Sequence, residues 1–194
     1  MMLSFDPAHT AVLSMDMQNG IVAVYAGDPG FIPRAAEVLR RCRAAGLTVI
    51  HIQVGFRPGF PEISPRNPLF QAIRTSERHQ QLFQGNNSAI HSALGPEEGD
   101  IVVTKHRVGA FAGTDLGMIL RARDIDTLVL FGIATSGVVL STVLDACDSD
   151  YRLFVLRDCC ADQDLEVHSC LLDKIFVRRS TVTTAAEFLS ALPA

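Results

Sequence analysis

In Thr127-Leu128-Val129-Leu130-Phe131-Gly132-Ile133-Ala134-Thr135-Ser136-Gly137-Val138-Val139-Leu140, an apolar run passes through a glycine and a turn of small residues into a helical pattern that continues to Asp148. A strand that is apolar on both of its faces belongs inside a parallel sheet covered by helices, because an antiparallel strand with one wet face would alternate. Working outward, the same strand-then-helix unit recurs. Thr10–Met15, Leu47–Gln53, Ile101–Thr104 and Leu153–Leu156 read as further strands, with Ser180–Val182 as a sixth. Between them, Phe31, Ala35, Val38, Cys42 and Ala45 repeat at helical spacing until Gly46 supplies a stop. Thr114 reads as the N-cap of a helix over Asp115–Arg123, and further helices are expected at Asp164–Phe176 and Thr184–Ala191. This alternation predicts an α/β fold, a three-layer α/β/α sandwich whose mainly parallel, Rossmann-like sheet has about six strands joined by right-handed crossovers.

The chain of 194 residues is long enough for one sizeable core and short for two, so residues 1–194 are expected to form a single domain. A net charge of −4, with Lys and Arg scattered along the chain, leaves no electrostatic footprint for a nucleic acid or an anionic membrane surface. No apolar stretch approaches the ~18 residues of a membrane span, and Met1-Met2-Leu3-Ser4-Phe5-Asp6-Pro7 lacks the basic and apolar regions of a secretory leader. Five cysteines, Cys42, Cys147, Cys159, Cys160 and Cys170, form an odd set without a CxxC pair or finger-type histidine spacing. They read as reduced thiols used for packing, which predicts a cytoplasmic protein.

One segment departs from the alternation. Val54–Asp100 contains Pro58, Pro61, Pro65 and Pro68 and then Gly85-Asn86-Asn87, and reads as a long segment without regular structure. Such a segment is either a lid or interface that brings Phe56, Arg57 or Phe60 to a pocket or subunit contact, or a surface excursion.

In open α/β sheets, ligands bind beyond the carboxyl ends of the strands. Three polar or turn elements occupy such ends: Asp16 after the first strand, Lys105 after the third, and Ala134–Val138 after the fourth. Taken singly, an aspartate there is more often a turn former and a lysine a solvated charge.

Taken together, Ser14-Met15-Asp16-Met17-Gln18-Asn19, Thr104-Lys105-His106-Arg107-Val108-Gly109-Ala110-Phe111 and Gly132-Ile133-Ala134-Thr135-Ser136-Gly137-Val138-Val139 resemble the motifs of the isochorismatase-like cysteine hydrolases. The resemblance runs from about Thr10 to Leu192. It implies that Asp16 acts as acid and base, that Lys105 supports it electrostatically, and that backbone around Ala134 and Val138 forms an oxyanion-type site with a cis peptide at Ile133–Ala134. The family's cysteine nucleophile falls at Val138, whose isopropyl group cannot form a thiolate or an acyl-enzyme.

A branch of the same family, the isochorismatases and their relatives, splits a vinyl ether and can dispense with the cysteine. Gly137-Val138-Val139-Leu140-Ser141-Thr142 looks similar to that branch, whereas Asn19-Gly20-Ile21-Val22 stands where its isochorismatases carry an aromatic residue. The reading is a hydrolase acting on a small polar molecule through Asp16-centred acid catalysis. Two alternatives stay open: a catalytically silent relative that binds a small molecule or a partner protein, and an amidase using Ser136 or Ser141. Gln18, Arg107, Phe111, Thr135 and Ser136 are the candidate substrate-binding residues. Arg107 either meets a substrate carboxylate or pairs with an acid of the protein, and Gln18 either bonds around Asp16 or is structural.

The family's nicotinamidase branch holds a metal through an Asp-x-His pattern, but Val54-Gly55-Phe56 stands there, and His51 reads as a hydrogen-bonded core residue. No metal or other cofactor is expected. The resemblance and the apolar helices imply a homo-oligomer, a dimer or a tetramer.

Overall fold

The computed structural model describes residues 5–193. Residues 1–4 and 194, including the first part of the N-terminal stretch read above, lie outside the described residues. Strands β1 (Thr10–Met15), β2 (Thr48–Val54), β3 (Ile101–Lys105), β4 (Thr127–Ile133), β5 (Arg152–Ala161) and β6 (Thr181–Thr183) form one sheet. Its order is β3-β2-β1-β4-β5-β6 and every pairing is parallel. The chain grows outward from β1 in one direction and from β4 in the other, so β1 and β4 flank the topological switch point where a crevice opens at the strand ends.

Both central strands are buried at every position, as continuous apolar runs require. Register is set by close packing at one point: a Cβ on Gly132 would lie 2.1 Å from the Met15 carbonyl oxygen. Gly132, at φ 147°, therefore lets β4 approach β1 at the strand end where Asp16 follows. β5 runs five residues beyond the expected Leu156, and its register with β4 shifts between Leu130 and Gly132.

Helix α2 (Phe31–Ala44) ends at Ala45, and Gly46 takes the left-handed conformation at φ 81°. It packs on β2, β5 and the C-terminal helix α8 (Ala185–Ser190), which a Thr184–Glu187 capping box starts. Helix α5 (Leu116–Ala122) begins one residue later than the Thr114 cap predicts; Asp115 flanks it, and the Thr114 hydroxyl accepts from the Leu116 N–H. The expected helix from Ser136 instead opens as a π-helical turn over Thr135–Val139 before α6 (Leu140–Asp148). The expected Asp164–Phe176 helix is α7 (Leu165–Cys170) followed by a second π-helical turn.

The expectation of an irregular Val54–Asp100 segment is corrected. It contains α3 (Pro68–Thr75) and α4 (Glu77–Gln81), followed by a 3-10 turn at Gly85–Ser88. Pro68 sits in the first turn of α3, where its missing N–H costs nothing, and the Asn67 side chain caps that helix. Ser76 caps α4 in the same way. A further helix, α1 (Asn19–Tyr25), was not expected at all. A Cβ on Gly20, in its first turn, would meet the Leu82 carbonyl oxygen at 2.7 Å, so the glycine serves the contact between α1 and the end of α4. Among the described residues no helix is long and apolar enough to cross a membrane.

Candidate active site

The ends of β1, β2, β3 and β4 open into one cavity of about 290 Å³. Its floor is the sheet: Asp16, Val54, Lys105, and Ile133 with Ala134, Gly137 and Val138 from the turn after β4. Its walls come from elements that the sequence pattern did not announce. Ile21 and Tyr25 belong to α1, while Leu69, Phe70 and Ile73 belong to α3, and His79, Leu82 and Phe83 come from α4 and the residues after it. The segment after β2 is thus a wall of the site, and Phe56 stiffens it through edge contacts with Phe70 and Phe83 at centroid distances of 6.0 and 5.6 Å.

Asp16 takes φ 54°, a left-handed conformation that aspartate tolerates better than most residues, and its N–H still donates to the Ile52 carbonyl at 2.8 Å. The chain therefore turns sharply at the strand end while the carboxylate stays against the sheet. Lys105 Nζ lies 2.8 Å from Asp16 Oδ2 and also donates to the Arg107 carbonyl at 3.0 Å. Both side chains are buried, at 9% and 3% exposure for Asp16 and Lys105. Asp16 Oδ1 is buried too and has no hydrogen-bond partner. Burial pushes the Asp16 carboxyl above its ordinary range, outweighing the ionic and hydrogen-bonding pull of Lys105. The arrangement is a carboxyl group with one oxygen anchored and the other uncommitted, in a mostly apolar cavity.

The turn after β4 carries a cis peptide at Ile133–Ala134, as the motif resemblance implies. Its Ala134 carbonyl accepts from the Gly137 and Val139 N–H groups. Val138 is buried and faces the cavity, in the third motif's position. Ser136 is exposed and absent from the lining, and its N–H donates to Asp162 Oδ2 at 2.7 Å. Thr135 is fully buried below the turn, with its hydroxyl 2.8 Å from His168 Nδ1 and 3.2 Å from the Ala161 carbonyl. His168 and Asp162 thus brace the turn from behind, a role that their isolated positions in the sequence gave no sign of.

The remaining candidates divide. Arg107 lines the cavity. Gln18 is fully buried outside the lining: its amide nitrogen donates to the Val54 and Ser88 carbonyls and its oxygen accepts from the Val54 N–H. These three bonds tie β2 to the segment before β3, and none of them reaches Asp16. Phe111 lies outside the lining as well, 6.1 Å from the Tyr151 ring. Ser141 lies one helical turn beyond Val138, also outside the lining, with its Cβ near Gly109.

No cysteine lines this cavity. Burial pushes the Cys42 and Cys160 thiols up to about 12 and raises Cys159 as well, which makes them inert packing groups, whereas Cys170 is exposed. His51 is a core histidine, bonded to Asp100 Oδ2 at 3.2 Å. Among the described residues no group of three or more His, Cys, Asp or Glu side chains is placed to hold a metal ion.

Comparison with known proteins gives the family of the chain. An isochorismatase domain is matched over residues 10–187. An uncharacterized isochorismatase family protein, YecD of Escherichia coli O157:H7, is 32% identical over 98% of this chain and 100% of its own length. The ureidoacrylate amidohydrolase RutB of Methylobacterium radiotolerans is 34% identical over 98% of this chain and 82% of its own. An isochorismatase family protein from Burkholderia thailandensis superposes with a TM-score of 0.84 at 32% identity, covering 97% of each chain. The match spans the strand ends, the cavity and the helices that wall it, and the chain belongs to the isochorismatase family of hydrolases.

Proposed function

We propose that this protein hydrolyses a small polar molecule by acid–base catalysis centred on Asp16, without a covalent enzyme intermediate, and that a vinyl ether is the substrate type this chemistry fits. The observation that carries the reading is the pairing of two features in one cavity: Asp16, with Oδ1 unpartnered and Oδ2 on Lys105, and Val138, with no nucleophilic atom. A general acid must be able to hold its proton at working pH, and burial favours the protonated carboxyl here.

In such a reaction, the Asp16 carboxyl gives its proton to the terminal enol carbon, and the electron pair of the C=C bond forms the new C–H bond. The ether oxygen shares the resulting positive charge as an oxocarbenium ion. Water adds to the cationic carbon and returns a proton to the Asp16 carboxylate. The hemiketal then collapses to a ketone and an alcohol, so the net change is addition of one water. Lys105 keeps the ionised carboxylate stable between the two proton transfers. The turn after β4 lines the same cavity through Ala134, Gly137 and Val138.

A serine amidase is the less favoured reading, since Ser136 and Ser141 both lie outside the cavity lining. The test is incubation with isochorismate, followed by coupled detection of pyruvate, with Asp16→Asn as control and intact mass as a monitor of adducts. Pyruvate release that vanishes in Asp16→Asn with no adduct is the expected result. Release that survives Asp16→Asn, or an acyl or alkyl adduct on the wild-type chain, overturns the mechanism.

A further inference from the structure

The chain that leaves β2 builds a second cavity beside the catalytic one. In Arg57-Pro58-Gly59-Phe60 the Phe60 N–H donates to the Arg57 carbonyl at 3.0 Å, and Gly59, at φ 79°, follows a proline in the residue order of a type II turn. Phe60 itself stands at φ 54°, which a bulky residue rarely adopts, so a strained backbone holds its ring 6.0 Å from that of Phe56. Glu62 fastens the turn, since its Oε1 accepts from the Arg57 N–H at 3.3 Å and from Arg57 Nη1 at 2.6 Å. On the other side, beyond the end of α4, the Phe83 ring lies 5.6 Å from Phe56. These three rings, with Arg57, Gln80 and Gln84, line a cavity of about 290 Å³.

Three features say what the cavity suits. Phe56, Phe60 and Phe83 are all only half-buried, unlike the neighbouring Phe70, so each leaves hydrocarbon for a further contact. An apolar cavity of about 150 Å³ already takes up benzene, so there is room for one six-membered ring and a substituent. Charge is balanced: Arg57, the one ionisable lining residue among those described, is matched by Glu62, whose second oxygen is buried without a partner. Hydrogen-bonding groups remain. Gln80 spends its amide nitrogen on the Arg74 carbonyl at 2.7 Å and keeps its oxygen, and the Gln84 side chain makes no hydrogen bond among the described residues.

We propose that this cavity is a second binding site, which takes a small neutral aromatic molecule bearing a hydroxyl group. Its ring packs among the three phenylalanines, and its hydroxyl meets the Gln80 and Gln84 amides. Phe83 lines this cavity and the catalytic one and so forms the partition between them, while Asp16 and Val138 line only the catalytic one. The inference does not depend on the reaction at Asp16 and is tested by binding alone.

The probe is 4-fluorophenol, titrated into the protein and followed by fluorine-19 NMR of the ligand and by amide proton–nitrogen spectra of the chain. Saturable binding in the millimolar range or tighter is expected, with the largest shifts at Gly59, Phe60 and Gln84. Phe60→Ala should weaken it roughly 2- to 10-fold, the scale of one aromatic contact, while the amide spectrum shows that the fold is kept. Gln84→Ala, or fluorobenzene in place of the phenol, should cost a similar factor for the lost hydrogen bond. Asp16→Asn should bind as wild type does, and 4-fluorobenzoate no tighter than 4-fluorophenol. No binding at millimolar concentration, shifts centred on Gly137 and Val138, wild-type affinity in both Phe60→Ala and Gln84→Ala, or a preference for 4-fluorobenzoate would each overturn the proposal.

Discussion

Asp16 and Asp100 are both buried carboxylates that face a cation, and they differ in how much of the carboxylate the protein satisfies. Asp100 closes the segment before β3 onto α2. It accepts from Arg43 Nε at 3.2 Å, Arg43 Nη2 at 2.6 Å, the Glu97 N–H at 2.9 Å and the His51 ring at 3.2 Å. Asp16 accepts from Lys105 alone, and its second oxygen has no partner. Burial works against ionisation in both. At Asp100 the Arg43 guanidinium, the Glu97 N–H and the His51 ring outweigh it and hold the carboxyl below its ordinary range. At Asp16 burial outweighs Lys105 and the carboxyl is raised. A saturated ion pair fastens two parts of a fold together; an unsaturated one beside a cavity is available for proton transfer.

The two sites should therefore fail differently. Asp16→Asn should lower turnover by about 10²- to 10⁴-fold, the usual contribution of a positioned acid, with a smaller loss of stability than loss of the Asp100 pair causes. Asparagine suits the φ of 54° at that position and still offers Lys105 an acceptor. Comparable losses of stability and activity would show Asp16 to be a second structural pair.

Arg43→Met should do the reverse. Removing one partner of a buried pair leaves Asp100 uncompensated, at a cost of about 3 kcal/mol read by urea unfolding, while turnover per folded molecule is unchanged. The pH dependence follows with the same sign logic. Because Asp100 is depressed in the folded state, its contribution is present above the unfolded carboxylate range and is lost as pH falls through its folded value. Asp16, raised in the folded state, behaves oppositely: its proton favours the fold at low pH, and that contribution disappears as pH rises through its folded value. Arg43→Met should therefore flatten the acid limb of the stability profile and leave the pH–rate profile in place.

The smallest expected effect lies behind the turn. His168→Ala removes the 2.8 Å contact to Thr135 but leaves Thr135 its bond to Ala161, so a fall in turnover of roughly tenfold with little change in KM or melting temperature is expected. A larger loss of stability than of turnover would make the brace a packing feature only.

The sheet is legible in the sequence because its strands are continuous apolar runs, and the strand ends point to Asp16, Lys105 and the turn at Ala134–Val138. The walls were not legible, for local reasons. Helix α1 hides behind Asn19-Gly20, whose glycine is required by a contact with Leu82 more than sixty positions away in the chain. Helices α3 and α4 are short; Pro68 reads as a breaker but acts as a first-turn proline, and the cap at Ser76 carries no signal strong enough to mark a five-residue helix. Gln18 and Thr135 carry no periodic signal, so only their partners at Val54, Ser88 and His168 reveal that they support the site rather than line it. Arg107 was placed in the site with two readings open; the structure gives it carbonyl partners in place of an acid.

The central claim concerns the state of one carboxyl group, and carbon-13 NMR of side-chain carboxyls reads it directly. Titration of uniformly labelled protein, with the Asp16 resonance assigned by its loss in Asp16→Asn and that of Asp100 by its loss in Asp100→Asn, should give a midpoint for Asp16 above the ordinary aspartate range and one for Asp100 below it. An Asp16 midpoint at or below that of Asp100 would contradict the account, because the group would then have no proton to give.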